Sequence, residues 1–169
     1  MEVRWSASLI ALVAILAIAS VPGTGDDVSR LTIRDAEGGA LLASVPLPAD
    51  GAVALRYRNS LYGSLAEERF TITDDGELQL VQLASDELAV LEEYYAIATP
   101  AWRAADDDRR AWLAEPALAM TTEQLRIAAT DLGERTLIVE GEEPLPLWEL
   151  QGADPTVVLG VEDRTLIGY

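Results

Sequence analysis

The sequence predicts a mainly β domain: a small antiparallel β-sandwich or barrel with one short helical excursion, preceded by an N-terminal hydrophobic helix. Three observations carry this. From Ser29 onward, apolar and polar residues alternate in short runs, the period of a half-buried strand. Glycine, proline and Asp-Gly signals punctuate those runs. Before them, the 17 residues from Trp5 to Val21 are apolar except for three serines.

The leading segment reads as a targeting element. Leu9 to Ala19 is apolar without a break, Arg4 precedes it, and Pro22-Gly23-Thr24-Gly25-Asp26-Asp27 follows it. Ala17-Ile18-Ala19 has the small-residue form of a cleavage site. A membrane span needs roughly 20 apolar residues, with a lower limit of about 17. Residues 1–25 are therefore expected to be a signal peptide or a membrane anchor, and residues 26–169 a single all-β extracytoplasmic domain. Both fates keep Arg4 inside and export the remainder. The domain is expected outside the cell membrane, anchored if uncleaved and secreted or periplasmic if cleaved.

Leu31, Ile33 and Asp35 alternate with Thr32 and Arg34, and Glu37-Gly38-Gly39 offers a hairpin turn into a strand over 41–47. Pro46, Pro48 and Asp50-Gly51 end it. Val53, Leu55 and Tyr57 set the inward phase of the next strand, and Phe70 and Ile72 set that of the one after. Asp75-Gly76 then turns the chain into Leu78, Leu80 and Gln82. The segment 85–116 breaks the alternation. Ser85-Asp86-Glu87 is expected to cap a short helix through Leu88, Leu91 and Tyr94. Thr99-Pro100 is expected to start a second helix reaching Ala114, with Trp102, Ala105, Arg109 and Trp112 on one face. Strands resume over 124–129, 135–140, 145–150 and 157–161.

Composition excludes much chemistry. The chain of 169 residues carries 29 acids against 12 basic residues, a formal net charge of -17, and it has no His and no Cys. Every basic residue is Arg. A thiol nucleophile, a histidine base, a lysine Schiff base and Cys- or His-ligated metals are all ruled out. The acidic excess argues against nucleic acid, which selects a basic footprint. No catalytic set, metal site or cofactor is expected. Asp106-Asp107-Asp108 lacks the spaced pattern of a calcium loop. A carboxylate-dependent hydrolase needs two acids about 5–9.5 Å apart in a cleft, and nothing in the sequence singles out such a pair.

Two groups of residues stand out. Stepping by two along the strands from Tyr57 and from Phe70 places Asn59 and Glu68 inward, and Glu67 and Arg69 outward. The plainer reading of Asn59, Ser60 and Glu68 is a polar clamp on a strand connection; with Arg58 as an anion contact, the same cluster forms a candidate ligand site. In that cluster Asn59, Ser60 or a backbone N–H is expected to satisfy Glu68. Tyr94, Tyr95, Trp102 and Trp112 concentrate four of the ten aromatics in one segment and form a candidate interface.

The stretch Tyr57-Arg58-Asn59-Ser60, with Glu68, Phe70-Thr71-Ile72 and Asp75-Gly76, resembles the bacterial and archaeal family catalogued as domain of unknown function 1850. In that family a strand ends in His-Ser, and a Glu follows nine positions after the His; here Asn59 and Glu68 hold those places. Arg135-Thr136-Leu137-Ile138 and Pro144-Leu145-Pro146-Leu147 resemble its closing strands, so the likeness covers roughly residues 29–161. The chain departs from the family at Asn59, where relatives carry His, and at Tyr62, where a second acid is frequent. Asn keeps hydrogen bonding and loses titration. The resemblance implies an exported accessory domain at tripartite ATP-independent periplasmic transporters of the TAXI type, which move small organic anions. The expected partners are therefore transporter subunits or their solute-binding protein, plus the membrane if the first segment is uncleaved. A small-ligand-binding domain using Asn59, Ser60 and Glu68 is the alternative, and a carboxylate-dependent hydrolase is a third, weaker one.

Overall fold

The computed structural model describes residues 29–162, and the expected N-terminal helix lies outside them. Among the described residues no helix is long and apolar enough to cross a membrane. The domain is mainly β, built from two antiparallel sheets.

In the smaller sheet, β1 (Arg30–Asp35) lies between β2 (Leu41–Pro46) and β12 (Thr156–Glu162), and β9 (Gln124–Ala128) forms the far edge beside β12. The expected turn joins β1 to β2. Asp35 closes it by accepting the Gly38 N–H at 2.7 Å, and Gly39 takes a positive φ of 68° that a side chain would oppose. The larger sheet runs in the order β11 (Leu145–Pro146), β10 (Thr136–Val139), β3 (Val53–Arg58), β4 (Leu65–Ile72), β5 (Leu78–Ser85), β7 (Trp112–Ala114) and β6 (Trp102–Arg103). A short β8 (Thr121–Thr122) pairs with β5 beyond this path.

The alternating apolar residues do what their phase predicts. Leu31, Ile33, Leu55, Phe70, Leu137 and Leu159, drawn from both sheets, share one buried core. Each such side chain contributes about 1.5–3 kcal/mol on burial. The inner face of the larger sheet also holds a row across five strands: Leu137, Leu55, Glu68, Leu83 and Ala114 are successive cross-strand partners. Glu68 is the one polar member of that row.

Three sequence expectations need correction. The second helix, expected from Pro100 to Ala114, is instead the β6–β7 hairpin, with Trp102 opposite Leu113 and Arg103 opposite Trp112. Asp has low helix propensity, and here Asp108 accepts the Arg110 N–H in a turn. Consecutive residues on a helix diverge by about 100°, whereas this turn lets Arg109 and Arg110 both reach one carboxylate. The first helix is cut short. Ser85 Oγ accepts the Glu87 N–H as a cap should, and the segment then widens into a π-turn over Val90–Tyr94, closed by Tyr95 N–H on the Val90 carbonyl. The strand expected over 145–150 is two residues long. Past Pro146, which has no N–H to donate, the chain turns into a single 3-10 turn at Leu147–Glu149.

Candidate functional site

At the Arg58 end of β3, two loops face each other. The 59–64 loop is shaped by Asn59, whose side-chain oxygen accepts the Leu61 and Tyr62 N–H groups at 3.0 and 3.1 Å. The 129–135 loop is tied to it by the Arg58 N–H, which donates to the Gly133 carbonyl at 2.8 Å. Between them lies a cleft of about 210 Å³. Tyr57, Asn59, Ser60 and Arg135 line it, as do Thr130 and Leu132 opposite and Tyr94 from the π-turn.

Two of the lining residues, Tyr57 and Arg135, belong to a polar chain on the inner sheet face. Tyr57 Oη donates to Tyr95 Oη at 2.7 Å, and Tyr95 Oη donates to Glu68 Oε1 at 2.8 Å. The Arg135 guanidinium stacks over the Tyr57 ring, 4.9 Å from its centroid, and lies 3.8 Å from the Glu68 carboxylate. Burial pushes the Tyr57 phenol up to about 12, reinforced by the nearby Glu68 charge. Burial raises Tyr95 still further, again with Glu68 adding to it. Both phenols are therefore neutral hydrogen-bond donors across the physiological range.

The opposite face of β4 holds a second network. Glu67 is fully buried beneath the β6–β7 loop. Arg109 donates to both of its oxygens at 3.2 and 3.1 Å, Arg69 Nε donates at 3.1 Å, and Arg110 Nε lies 3.4 Å away. Arg69 also binds Asp108 with both terminal nitrogens, at 2.9 and 2.6 Å, and Arg110 donates to Asp86 at 2.8 Å. The Arg69 hydrogen bonds hold the Asp108 carboxyl down at about 2. Three acids and three arginines leave the cluster neutral.

The expected ligand cluster is partly assembled. Arg58, Asn59 and Ser60 line the cleft, and Asn59 is buried as its phase predicts. Glu68 is on the inner face as expected but does not contact Asn59 or Ser60: its partners are Tyr95 and Arg135, and its side chain stays 22% exposed. Arg58 is committed to Glu134 and to the Gly63 carbonyl. The four expected interface aromatics do not share a surface. Tyr94 is exposed beside the cleft, and Tyr95 packs edge-on against it, turned inward to Glu68. Trp102 is exposed on the edge strand, on the face opposite Trp112. Trp112 packs against the buried Leu83–Leu91–Ala114 cluster under the Arg103 guanidinium.

Two features escaped sequence reading. Arg135 had a signal, because stepping back by two from Val139 and Leu137 reaches it on the inner face. The burial of Glu67 had none: its outward phase is correct, and only the misread loop covers it.

No family model matches the chain, and neither the curated proteins nor the solved structures include a match.

Proposed function

We propose that this domain is an extracytoplasmic accessory module that binds rather than transforms, and that the loop-end cleft is its working surface. One observation carries the reading: three large apolar side chains stand exposed around the cleft. Leu132 and Tyr94 line it, Leu61 projects from the same 59–64 loop, and their exposures are 68%, 56% and 75%. Clustered exposed apolar side chains mark interaction surfaces. Among the described residues the one inner-face carboxylate near the cleft, Glu68, is held by a phenol whose own proton is committed to it, which favours recognition over proton transfer.

Position agrees with this. β1 runs from Arg30, opposite Glu162, to Asp35, opposite Val157. The cleft lies at the Asp35 end, because Ala128 lines it and pairs with Thr156. A domain tethered through residues 1–25 presents this end away from the tether. Transporter subunits, or their solute-binding protein, are the partners that the sequence resemblance puts forward. Purification of the full chain from native membranes in mild detergent is expected to bring such a subunit with it. The double substitution Leu61→Asp, Leu132→Asp is expected to lose it without changing the thermal melt, since both side chains are exposed. Retention by that variant would refute the reading.

A further inference from the structure

Resting on the reading that this end is the binding end, we propose that the cleft is a site for a small aliphatic carboxylate, held by the Asn59 side-chain amide and the Arg135 guanidinium.

The orientation of Asn59 is fixed by chemistry. The atom that receives the Leu61 and Tyr62 N–H groups must be the oxygen, so the other terminus is the amide nitrogen. That nitrogen makes no hydrogen bond among the described residues. Asn59 is 3% exposed and lines the cleft. The sealed, unpaired side-chain atoms among the described residues are Ser64 Oγ and Arg110 Nε, so the amide nitrogen of Asn59 retains an opening. A nearly buried amide with two unused donors is made to meet an acceptor that enters from outside.

Arg135 is in the same condition. Its charge is balanced by Glu68 at 3.8 Å, a separation beyond hydrogen-bond length, and the Tyr57 ring supports it from one face. It donates to no described residue. Arg58 and Arg69 contrast with it, since each spends its donors on neighbouring oxygens. Thr130 Oγ1, on the facing wall, already accepts the Gly133 N–H and has its own O–H left to give. The cleft is thus rich in unused donors. A carboxylate supplies two oxygens that accept in a plane, the shape a guanidinium fork recognises.

Size limits the class. At about 210 Å³ the cleft lies below the usual range of roughly 300–1,000 Å³ for drug-sized ligands, so it suits short-chain acids. The acidic surface opposes anions at long range, but that field decays over about 8 Å at physiological salt. Recognition therefore depends on the donors inside.

Titration of the full chain with succinate, against its uncharged analogue succinamide, tests this by ¹⁵N NMR at the Asn59 side-chain amide and the Arg135 Nε–H. Saturable shifts at both groups are expected with succinate, and shifts at least about tenfold weaker with succinamide. Asn59→Asp keeps an oxygen for the loop N–H groups and replaces the donors with a like charge, so binding is expected to vanish. Arg135→Lys keeps the charge, loses the fork, and is expected to weaken binding about tenfold, which keeps the test decisive if Asn59→Asp fails to fold. Equal response to both compounds, or wild-type binding by either folded variant, would overturn the proposal. A chain that retains its protein partner yet shows no saturable succinate shift overturns the carboxylate assignment alone. A chain that binds succinate but retains no partner overturns the docking reading alone.

Discussion

Glu67 and Glu68 are neighbours on β4, and the pleat sends them to opposite faces of the larger sheet. Glu67 is shut away from water among three arginines, two of which bind further acids, Asp108 on the loop above and Asp86 just past β5. Glu68 stands in an apolar row at the uncovered end of the inner face, held by one phenol and a guanidinium at arm's length. One carboxylate fastens a loop to a sheet, and the other positions donors beneath a cleft. The same residue type serves two purposes because its neighbours differ, above all in how many of their donors remain unused.

Neutralising each acid breaks the comparison most directly. Glu67→Gln leaves the guanidiniums of Arg69 and Arg110 without a buried counter-charge, and it should destabilise the domain by about 3 kcal/mol, the lower end of the range for a broken buried ion pair. Arg109 is half exposed and can turn to water, which keeps the cost from being larger. Glu68→Gln keeps an oxygen to accept from Tyr95 and loses only a 3.8 Å ion contact, so about 1 kcal/mol is expected. Urea unfolding of the two variants side by side checks the order, and equal losses would dissolve the distinction between the faces.

The two networks should also fail at opposite ends of the pH scale. Tyr57 has a folded-state value of about 12 against an ordinary 10, so the unfolded chain loses its proton first as pH rises. Stability from this phenol is complete below pH 10 and is lost between about 10 and 12, by roughly 2 kcal/mol. Asp108 is shifted the other way, to about 2 from 3.8. Its contribution is present above pH 4 and is lost as pH falls toward 2. Tyr57→Phe should make the alkaline limb shallower, with Tyr95 still contributing to it, and Asp108→Asn should make the acid limb shallower, each without moving the other, as read by thermal melts across pH.

Much of this contrast was legible in the sequence, and the limits have physical causes. The phases set by Leu55, Tyr57 and Phe70 place Asn59 and Glu68 correctly, because side-chain direction in a strand depends only on parity. Parity does not say what lies over a face, so the outward phase of Glu67 carries no sign of its burial. The spacing of Trp102, Ala105, Arg109 and Trp112 fits a helix as well as a hairpin. The hairpin prevails through contacts distant in sequence, from Arg69 to Asp108 and from Arg109 to Glu67, which no local window contains. The partners of Glu68 were missed likewise. Tyr95 reaches it from the end of a π-turn and Arg135 from the loop residue just before β10, far from β4 in the chain.

The assignment of the working surface is tested most directly by site-specific photo-crosslinking in native membranes. A photoreactive residue is placed at Leu132 on the cleft in one sample, and at Val81 in another. Val81 is also exposed and is the extra residue of β5 where its pairing with β4 slips, away from the cleft. Crosslinks to a transporter subunit or its solute-binding protein are expected from position 132 and not from 81. Crosslinks from 81 alone would contradict the assignment of the cleft as the binding end.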